Sequence, residues 1–182
     1  GISQAISASA CDAVFEAFAA ARENGVLTAY DTNLRLKLWP LTRARAIVHA
    51  ACEMADIVLP GDGDAKLLTG LEQPDAIVDF YLKLGAKVVA LTLGHEGSLV
   101  ATPDKRQRFV PIKVDAIDAT GAGDCYDGAF LAEYIRTGDA FAAGAYANVA
   151  AALSTQGYGA VAPLPRRADV EARIAQEAAG RA

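Results

Sequence analysis

The sequence has few cysteines and few aromatic residues, and it lacks both a long apolar run and a cluster of basic residues. Its three cysteines, at positions 11, 52 and 125, are far apart, which argues against a disulfide framework or a zinc site. No apolar run has the length of a membrane-spanning helix, and no basic stripe is present to bind nucleic acid. We therefore expect a protein of a reducing cytoplasm that binds neither a membrane nor nucleic acid.

Most of the apolar content comes from small aliphatic side chains. Of the 182 residues 53% are hydrophobic but only 7% are aromatic, which favours a helix-rich α/β protein over a β-sandwich. The length suits a single domain, residues 1–182. The chain opens with Gly1-Ile2-Ser3 and no methionine, so we expect a piece of a longer protein.

Hydrophobic periodicity predicts that strands and helices alternate. Strands are expected at 26–30, 57–59 and 87–92, and an antiparallel pair at 98–101 and 108–112. The main helices are expected at 9–24, 42–55, 64–69, 74–84, 121–135, 139–155 and 167–178. This order predicts an α/β fold in which a mostly parallel sheet carries helices on both faces. Ligands of such a sheet bind beyond the carboxyl ends of its strands.

The run DATGAGD (118–124) opens a predicted helix and carries the clearest chemical signal. Its glycines let backbone N–H groups face an anion, and the helix dipole favours negative charge there. Asp124 follows in the first turn. Alone, this acid could simply complement the dipole. Because it lies beside an anion pocket, Asp124 could also act as a base that takes a proton from a hydroxyl group while the N–H groups bind a phosphoryl group.

Two other phosphate-binding patterns do not fit the same run. A dinucleotide fingerprint needs a glycine at position 126, where the chain has Tyr126. A P-loop needs Gly-Lys followed by Ser or Thr, and the sequence contains no such run.

Together with Gly128-Ala129-Phe130, DATGAGD resembles the second signature of the ribokinase-like (PfkB) carbohydrate kinases. Segments 91–97, 147–152 and 157–160 resemble the same family. The resemblance covers nearly the whole chain but only the C-terminal part of a usual member. It therefore implies a ribokinase-like fold from which the N-terminal lid region is absent.

The resemblance implies a role for each matching residue. Asp124 would be the catalytic base, and the backbone of Gly121, Ala122 and Gly123 would form the anion hole. Thr92, Gly94 and Gly97 would contact the phosphate and ribose of ATP, and Asn148 would lie near the adenine.

Metal binding is implied at two places. The family usually has Asn-x-x-Glu where this chain has Gly61 and Asp64, and that motif organises water around Mg²⁺. Asp64 could serve in its place through water, or it could belong to a solvated acidic turn. Asp118 and the Thr120 carbonyl match positions where some members bind a monovalent cation, although Asp118 could instead cap the turn.

The substrate that accepts the phosphoryl group is suggested by the segment with Asp31, Asn33 and Arg35, which is followed by residues 37–40, KLWP. This segment resembles the 2-keto-3-deoxygluconate kinases within the family. Their substrate is a sugar acid, and a guanidinium group can bind its carboxylate in bidentate fashion. Arg35 is the candidate, with a surface arginine paired to a nearby acid as the alternative.

The resulting interpretation is a kinase that transfers the γ-phosphoryl group of ATP to a sugar-acid hydroxyl, with Mg²⁺ and, in addition, a monovalent cation as cofactors. Two alternatives stay open, namely a kinase for a neutral sugar such as fructose or ribose and a non-catalytic nucleotide-binding fragment. A homo-oligomer is compatible with all of these.

Overall fold

The computed structural model describes residues 1–179, and the chain divides into two compact units. Unit 1 comprises residues 1–94 and 101–106, and unit 2 comprises, among the described residues, 95–100 and 107–179. No helix within residues 1–179 is long and apolar enough to cross a membrane.

Unit 1 contains three short parallel strands, β1 (Ala29–Asp31), β2 (Ile57–Leu59) and β3 (Val88–Thr92). Every residue of β2 and the first four of β3 are buried, which explains why these strands are uniformly apolar in sequence. The strand expected at 26–30 begins later, at Ala29. Val26 and Leu27 lie outside it and are 58% and 46% exposed.

The helices of unit 1 are α1 (Ile2–Ala5), α2 (Ala8–Glu23), α3 (Leu41–Cys52), α4 (Asp62–Thr69) and α5 (Pro74–Lys83). The helix expected at 64–69 begins two residues earlier, because α4 starts at Asp62. Gly61 forms a parallel bridge with Thr92, and its carbonyl accepts the Ala65 N–H at 2.8 Å, which starts the helix directly after the bridge.

Unit 2 holds most of the hairpin β4 (Ser98–Ala101) and β5 (Arg106–Phe109), followed by α6 (Ala122–Thr137), α7 (Ala140–Ser154) and α8 (Arg167–Ala179). Gly138, with φ of +70°, ends α6, and the Asp139 carboxylate caps α7 by accepting the N–H groups of Phe141 and Ala142. The expected α/β class, with a mixed and mostly parallel sheet and helices, is confirmed.

Candidate active site

The loop before α6 has a shape that only glycine fits at position 121. Gly121 has φ of +76°, and a Cβ added there would lie 2.7 Å from the Ala160 Cβ. A positive φ and a close approach each disfavour a side chain. Ala160 ends the 157–160 loop, for which the sequence suggested no separate role. The structure shows that this loop is the surface on which the expected phosphate loop, residues 118–121, packs.

The first turn of α6 leaves three backbone donors unused. The Ala122 N–H donates to the Ala119 carbonyl at 3.1 Å. Within residues 1–179, no acceptor is found for the N–H groups of Gly121, Gly123 and Asp124. The donors available to an anion therefore differ from the expected set, because Ala122 is engaged and Asp124 contributes its own N–H group.

The Asp124 side chain lies in this same helical turn and is exposed. In the part of the chain that the structure describes, its carboxylate has neither a hydrogen-bond partner nor an ion-pair partner. A free carboxylate in the same turn as unused N–H donors can take a proton from a hydroxyl group.

Asp118, by contrast, uses both carboxylate oxygens to hold the loop. Its Oδ1 accepts the Thr120 hydroxyl at 2.6 Å and the Thr120 N–H at 2.9 Å, and its Oδ2 accepts the Gly159 N–H at 2.8 Å. The Thr120 hydroxyl, followed by the two N–H groups, lowers the pKa of Asp118. Asp118 therefore ties the phosphate loop to the 157–160 loop, and its monovalent-cation role stays a prediction.

Asn148 and Gly97 both contact the chain just after β5. The Asn148 amide donates to the Val110 carbonyl at 2.8 Å, and the side chain is buried. Gly97 has φ of +91°, and a Cβ there would collide with the Phe109 carbonyl. Sequence reasoning missed residues 109–111 as the segment that these two positions share. Their contacts with a nucleotide stay predictions.

In unit 1, the loop after β1 is held by two carboxylates. The Asp31 Oδ1 accepts the Asn33 N–H at 3.0 Å, and the Asp64 Oδ2 accepts the Leu34 N–H at 2.8 Å. Two polar atoms of the loop, Thr32 Oγ1 and Asn33 Oδ1, are buried and have no hydrogen-bond partner among the described residues 1–179. Buried polar atoms are normally satisfied, so this loop retains hydrogen-bonding capacity for a ligand.

Arg35 follows this loop and is exposed. Its guanidinium group donates to the Leu34 carbonyl at 3.5 Å, and no carboxylate within residues 1–179 pairs with it. The alternative of a surface arginine paired to a nearby acid therefore finds no support. Arg35 is available to bind an anionic group.

Asp64 is the candidate for the metal. Among residues 1–179, no group of three or more His, Cys, Asp or Glu side chains could hold a metal ion. Mg²⁺ nevertheless needs only one or two protein carboxylates when substrate phosphates and water supply its other ligands. The second carboxylate oxygen of Asp64 fits that requirement, since the Leu34 N–H uses only Oδ2.

The structure brings the predicted residues together in separate groups. In unit 1, the Leu34–Asp64 bond and the Gly61–Thr92 bridge join the loops at the carboxyl ends of all three parallel strands. In unit 2, loop 118–124 packs on loop 157–160, while Gly97 and Asn148 meet the segment 109–111.

Ligand-binding loops at the carboxyl ends of parallel strands are typical of α/β proteins. A glycine-containing helix N-terminus with an aspartate in its first turn is suited to phosphoryl transfer. The profile described as pfkB family carbohydrate kinase matches residues 2–167. The chain belongs to this family.

Curated relatives agree with this assignment. The ribokinase of Staphylococcus aureus (strain COL) is 31% identical over an alignment of 159 residues, and the match covers 84% of this chain and 49% of the relative. The 2-dehydro-3-deoxygluconokinase of Bacillus subtilis (strain 168) is 36% identical over 128 residues, 68% of this chain and 39% of the relative. The chain spans about half the length of the curated relatives it matches first.

Solved structures share the fold. The fructokinase of Vibrio cholerae O395, bound to fructose, ADP and calcium, is 31% identical with a TM-score of 0.86 over 93% of this chain and 58% of that one. An E. coli chain solved in complex with ATP and Mg²⁺ is 28% identical with a TM-score of 0.86 over 94% of this chain and 56% of that one. The expected ribokinase-like fold is confirmed.

Proposed function

We propose that the protein is an ATP-dependent kinase that phosphorylates a hydroxyl group of a sugar acid, 2-keto-3-deoxygluconate (also named 2-dehydro-3-deoxygluconate). The observation that carries this proposal is the Asp124 carboxylate, which has no partner within residues 1–179 and lies in the same helical turn as unused backbone donors. Membership of the pfkB family supports the same reaction class.

In the proposed reaction, Asp124 accepts the proton of the acceptor hydroxyl. The hydroxyl oxygen forms a bond to the γ-phosphorus of ATP, the bond from that phosphorus to the β–γ bridging oxygen breaks, and ADP leaves with the electron pair. The N–H groups of Gly121 and Gly123 stabilise negative charge on the transferred group, and they are fixed in place before the reaction. The N–H of Asp124 adds a third donor.

The nucleotide is proposed to contact Thr92, Gly94 and Gly97 through its phosphates and ribose and Asn148 through its base. Asp64 would hold Mg²⁺ through its free carboxylate oxygen and water, together with ATP phosphate oxygens. The ion would supply neutralisation of phosphate charge.

The acceptor is proposed from Arg35 and its loop. A guanidinium group without a carboxylate partner can bind the carboxylate of a sugar acid through two parallel hydrogen bonds. Asp31 and Asn33 shape the same loop and are proposed to contact the sugar. The B. subtilis relative, named for a kinase of this sugar acid, supports the choice.

A neutral sugar is the second candidate acceptor. It is favoured by the S. aureus ribokinase, which aligns with more of the chain than the sugar-acid kinase does, and by the fructose-bound structure from V. cholerae. The two candidates differ in the need for Arg35, because a neutral sugar has no carboxylate for it to bind.

The test is ATP-dependent phosphorylation of 2-keto-3-deoxygluconate, ribose and fructose, measured as ADP release. Asp124→Asn should lower kcat by roughly 10²–10⁴ while ATP affinity changes little. Asp104→Asn, at an exposed acid in the turn between β4 and β5, is the control. Wild-type turnover by Asp124→Asn would refute the base assignment. A preference for ribose or fructose would favour the second candidate.

A further inference from the structure

Asp64 joins helix α4 to the loop that leads to Arg35. Its Oδ2 accepts the Leu34 N–H at 2.8 Å across 30 residues of sequence. The Leu34 side chain is only 5% exposed, so the bond lies at a partly shielded position. A hydrogen bond to a carboxylate is about twice as strong as one between neutral groups. This contact therefore holds the backbone directly before Arg35.

The loop after β1 has a strained backbone, which the Leu34–Asp64 hydrogen bond can help to stabilise. Asn33 has φ of +26° and is the only residue other than glycine with a positive φ among residues 1–179. That conformation persists only where neighbouring contacts enforce it. Asp31 accepts the Asn33 N–H from within the loop, and Asp64 accepts the next N–H from α4. Only the second bond ties the loop to another element.

The element that carries Asp64 is itself fixed. Gly61, directly before α4, is bridged to Thr92 at the end of β3. Asp64 thus links the loop after β1 to a helix that is anchored on the sheet.

We propose that Asp64 is a positioning residue for the acceptor, because its carboxylate fixes Leu34 and thereby directs Arg35 toward the carboxylate of the sugar acid. The inference rests on the proposed function, since Arg35 has such a group to bind only if the acceptor is a sugar acid. It differs from the metal role implied by the family pattern, in which this position serves the Mg²⁺ of the nucleotide. Misplacement of a substrate-binding group by about 1 Å can cost 10²-fold in rate.

Two substitutions separate positioning from metal binding. Asp64→Asn keeps an oxygen that can accept the Leu34 N–H but removes the charge, whereas Asp64→Ala removes both. Asp62→Ala is the matched control, because Asp62 is an acid in the same helical turn that pairs with Lys66 and not with the loop.

The first readout needs no activity. Hydrogen exchange of the Leu34 amide is followed by NMR in the ligand-free protein. We expect slow exchange in the wild type, in Asp64→Asn and in Asp62→Ala, and exchange about 10-fold faster in Asp64→Ala. Equal rates in the wild type and Asp64→Ala would overturn the anchoring role, whatever the enzyme does.

The second readout is kinetic. Asp64→Ala should raise the KM for 2-keto-3-deoxygluconate by about 10-fold, while Asp64→Asn keeps a near-normal KM. Any rise in the Mg²⁺ concentration for half-maximal rate should be similar in the two variants, because both remove the carboxylate charge. A higher Mg²⁺ requirement in both variants with an unchanged sugar KM would overturn the proposal and return Asp64 to the metal. If the wild type does not phosphorylate the sugar acid, the proposed function is refuted, and so is the role of Asp64 in positioning Arg35 for that substrate. The exchange rate of the Leu34 amide would still show separately whether Asp64 holds the loop.

Discussion

Replacing Gly121 with alanine tests most directly why the loop before α6 needs a glycine. Two separate effects should destabilise the folded protein, namely the positive φ angle and the contact with Ala160. A left-handed φ of +76° costs a residue with a Cβ roughly 1–2 kcal/mol. The new Cβ would also lie 2.7 Å from the Ala160 Cβ and 3.0 Å from its Cα, so one loop would have to move. Such overpacking costs roughly 1–3 kcal/mol. The free energy of unfolding should therefore fall by roughly 2–5 kcal/mol.

A second substitution isolates the packing cost. Ala160→Gly removes the methyl group that the new Cβ would meet, so Gly121→Ala combined with Ala160→Gly should recover part of the packing cost and none of the φ cost. The assay is urea unfolding of the two single variants and the double variant, analysed as a double-mutant cycle. Additive losses would show that the clash with Ala160 contributes nothing.

Two other glycines of α6 provide the controls. Gly123 and Gly128 have no positive φ, and a Cβ at either position would meet nothing within 4 Å. Alanine there should raise stability by about 0.5–1 kcal/mol through helix propensity. Gly123→Ala should nevertheless weaken ATP binding in a calorimetric titration. The new Cβ would lie next to the unused Gly123 N–H group and would hinder the approach of a phosphate to it. Wild-type stability of Gly121→Ala would refute the geometric reasoning.

Two further predictions concern arginines. Arg35→Ala should raise the KM for 2-keto-3-deoxygluconate by about 10- to 100-fold and leave the kinetics with ribose or fructose unchanged, with the exposed Arg43→Ala as control. Equal losses with all acceptors would make Arg35 structural. Hydrogen bonds from Arg136 and then Arg167 lower the pKa of buried Glu133 from 4.5 to about 2, against the effect of burial. This stabilisation is present above the unfolded-state pKa and is lost as pH falls through the folded-state pKa. The free energy of unfolding should therefore drop between about pH 4.5 and 2 more steeply in the wild type than in Glu133→Gln. Parallel pH curves would contradict this account.

The elements with strong local signals could be predicted from the sequence. The strand at 57–59 matches β2, and the strand expected at 87–92 differs from β3 by one residue, because β2 and the first four residues of β3 are buried apolar runs. Helix boundaries were less exact. The cap of α2 is Ser7, whose hydroxyl oxygen accepts the Ala10 N–H, whereas Ser9 was expected to begin that helix. Both serines suit an N-cap, so residue type alone could not separate them.

The contacts that shape the candidate site have no local pattern to reveal them. The Leu34–Asp64 bond spans 30 residues, the Asn148–Val110 bond 38 and the Gly159–Asp118 bond 41. In each of them a backbone group pairs with a side chain that is at least 30 residues away in the sequence. Their geometry depends on packing of the folded chain, which periodicity and capping signals do not encode. The sequence could therefore indicate which residues matter but not which of them hold the others in place.

The aspartates of the candidate site differ in their hydrogen-bond partners. Asp31, Asp64 and Asp118 each accept backbone N–H groups from loops, whereas Asp124 accepts none within residues 1–179. Hydrogen bonds to a carboxylate stabilise its charged form and make it a weaker base, as the lowered pKa of Asp118 illustrates. An engaged carboxylate would also have to release its loop before taking a proton from a substrate. The engaged aspartates are therefore suited to holding loops, whereas Asp124, which has no partner within residues 1–179, is the one that we propose for proton transfer.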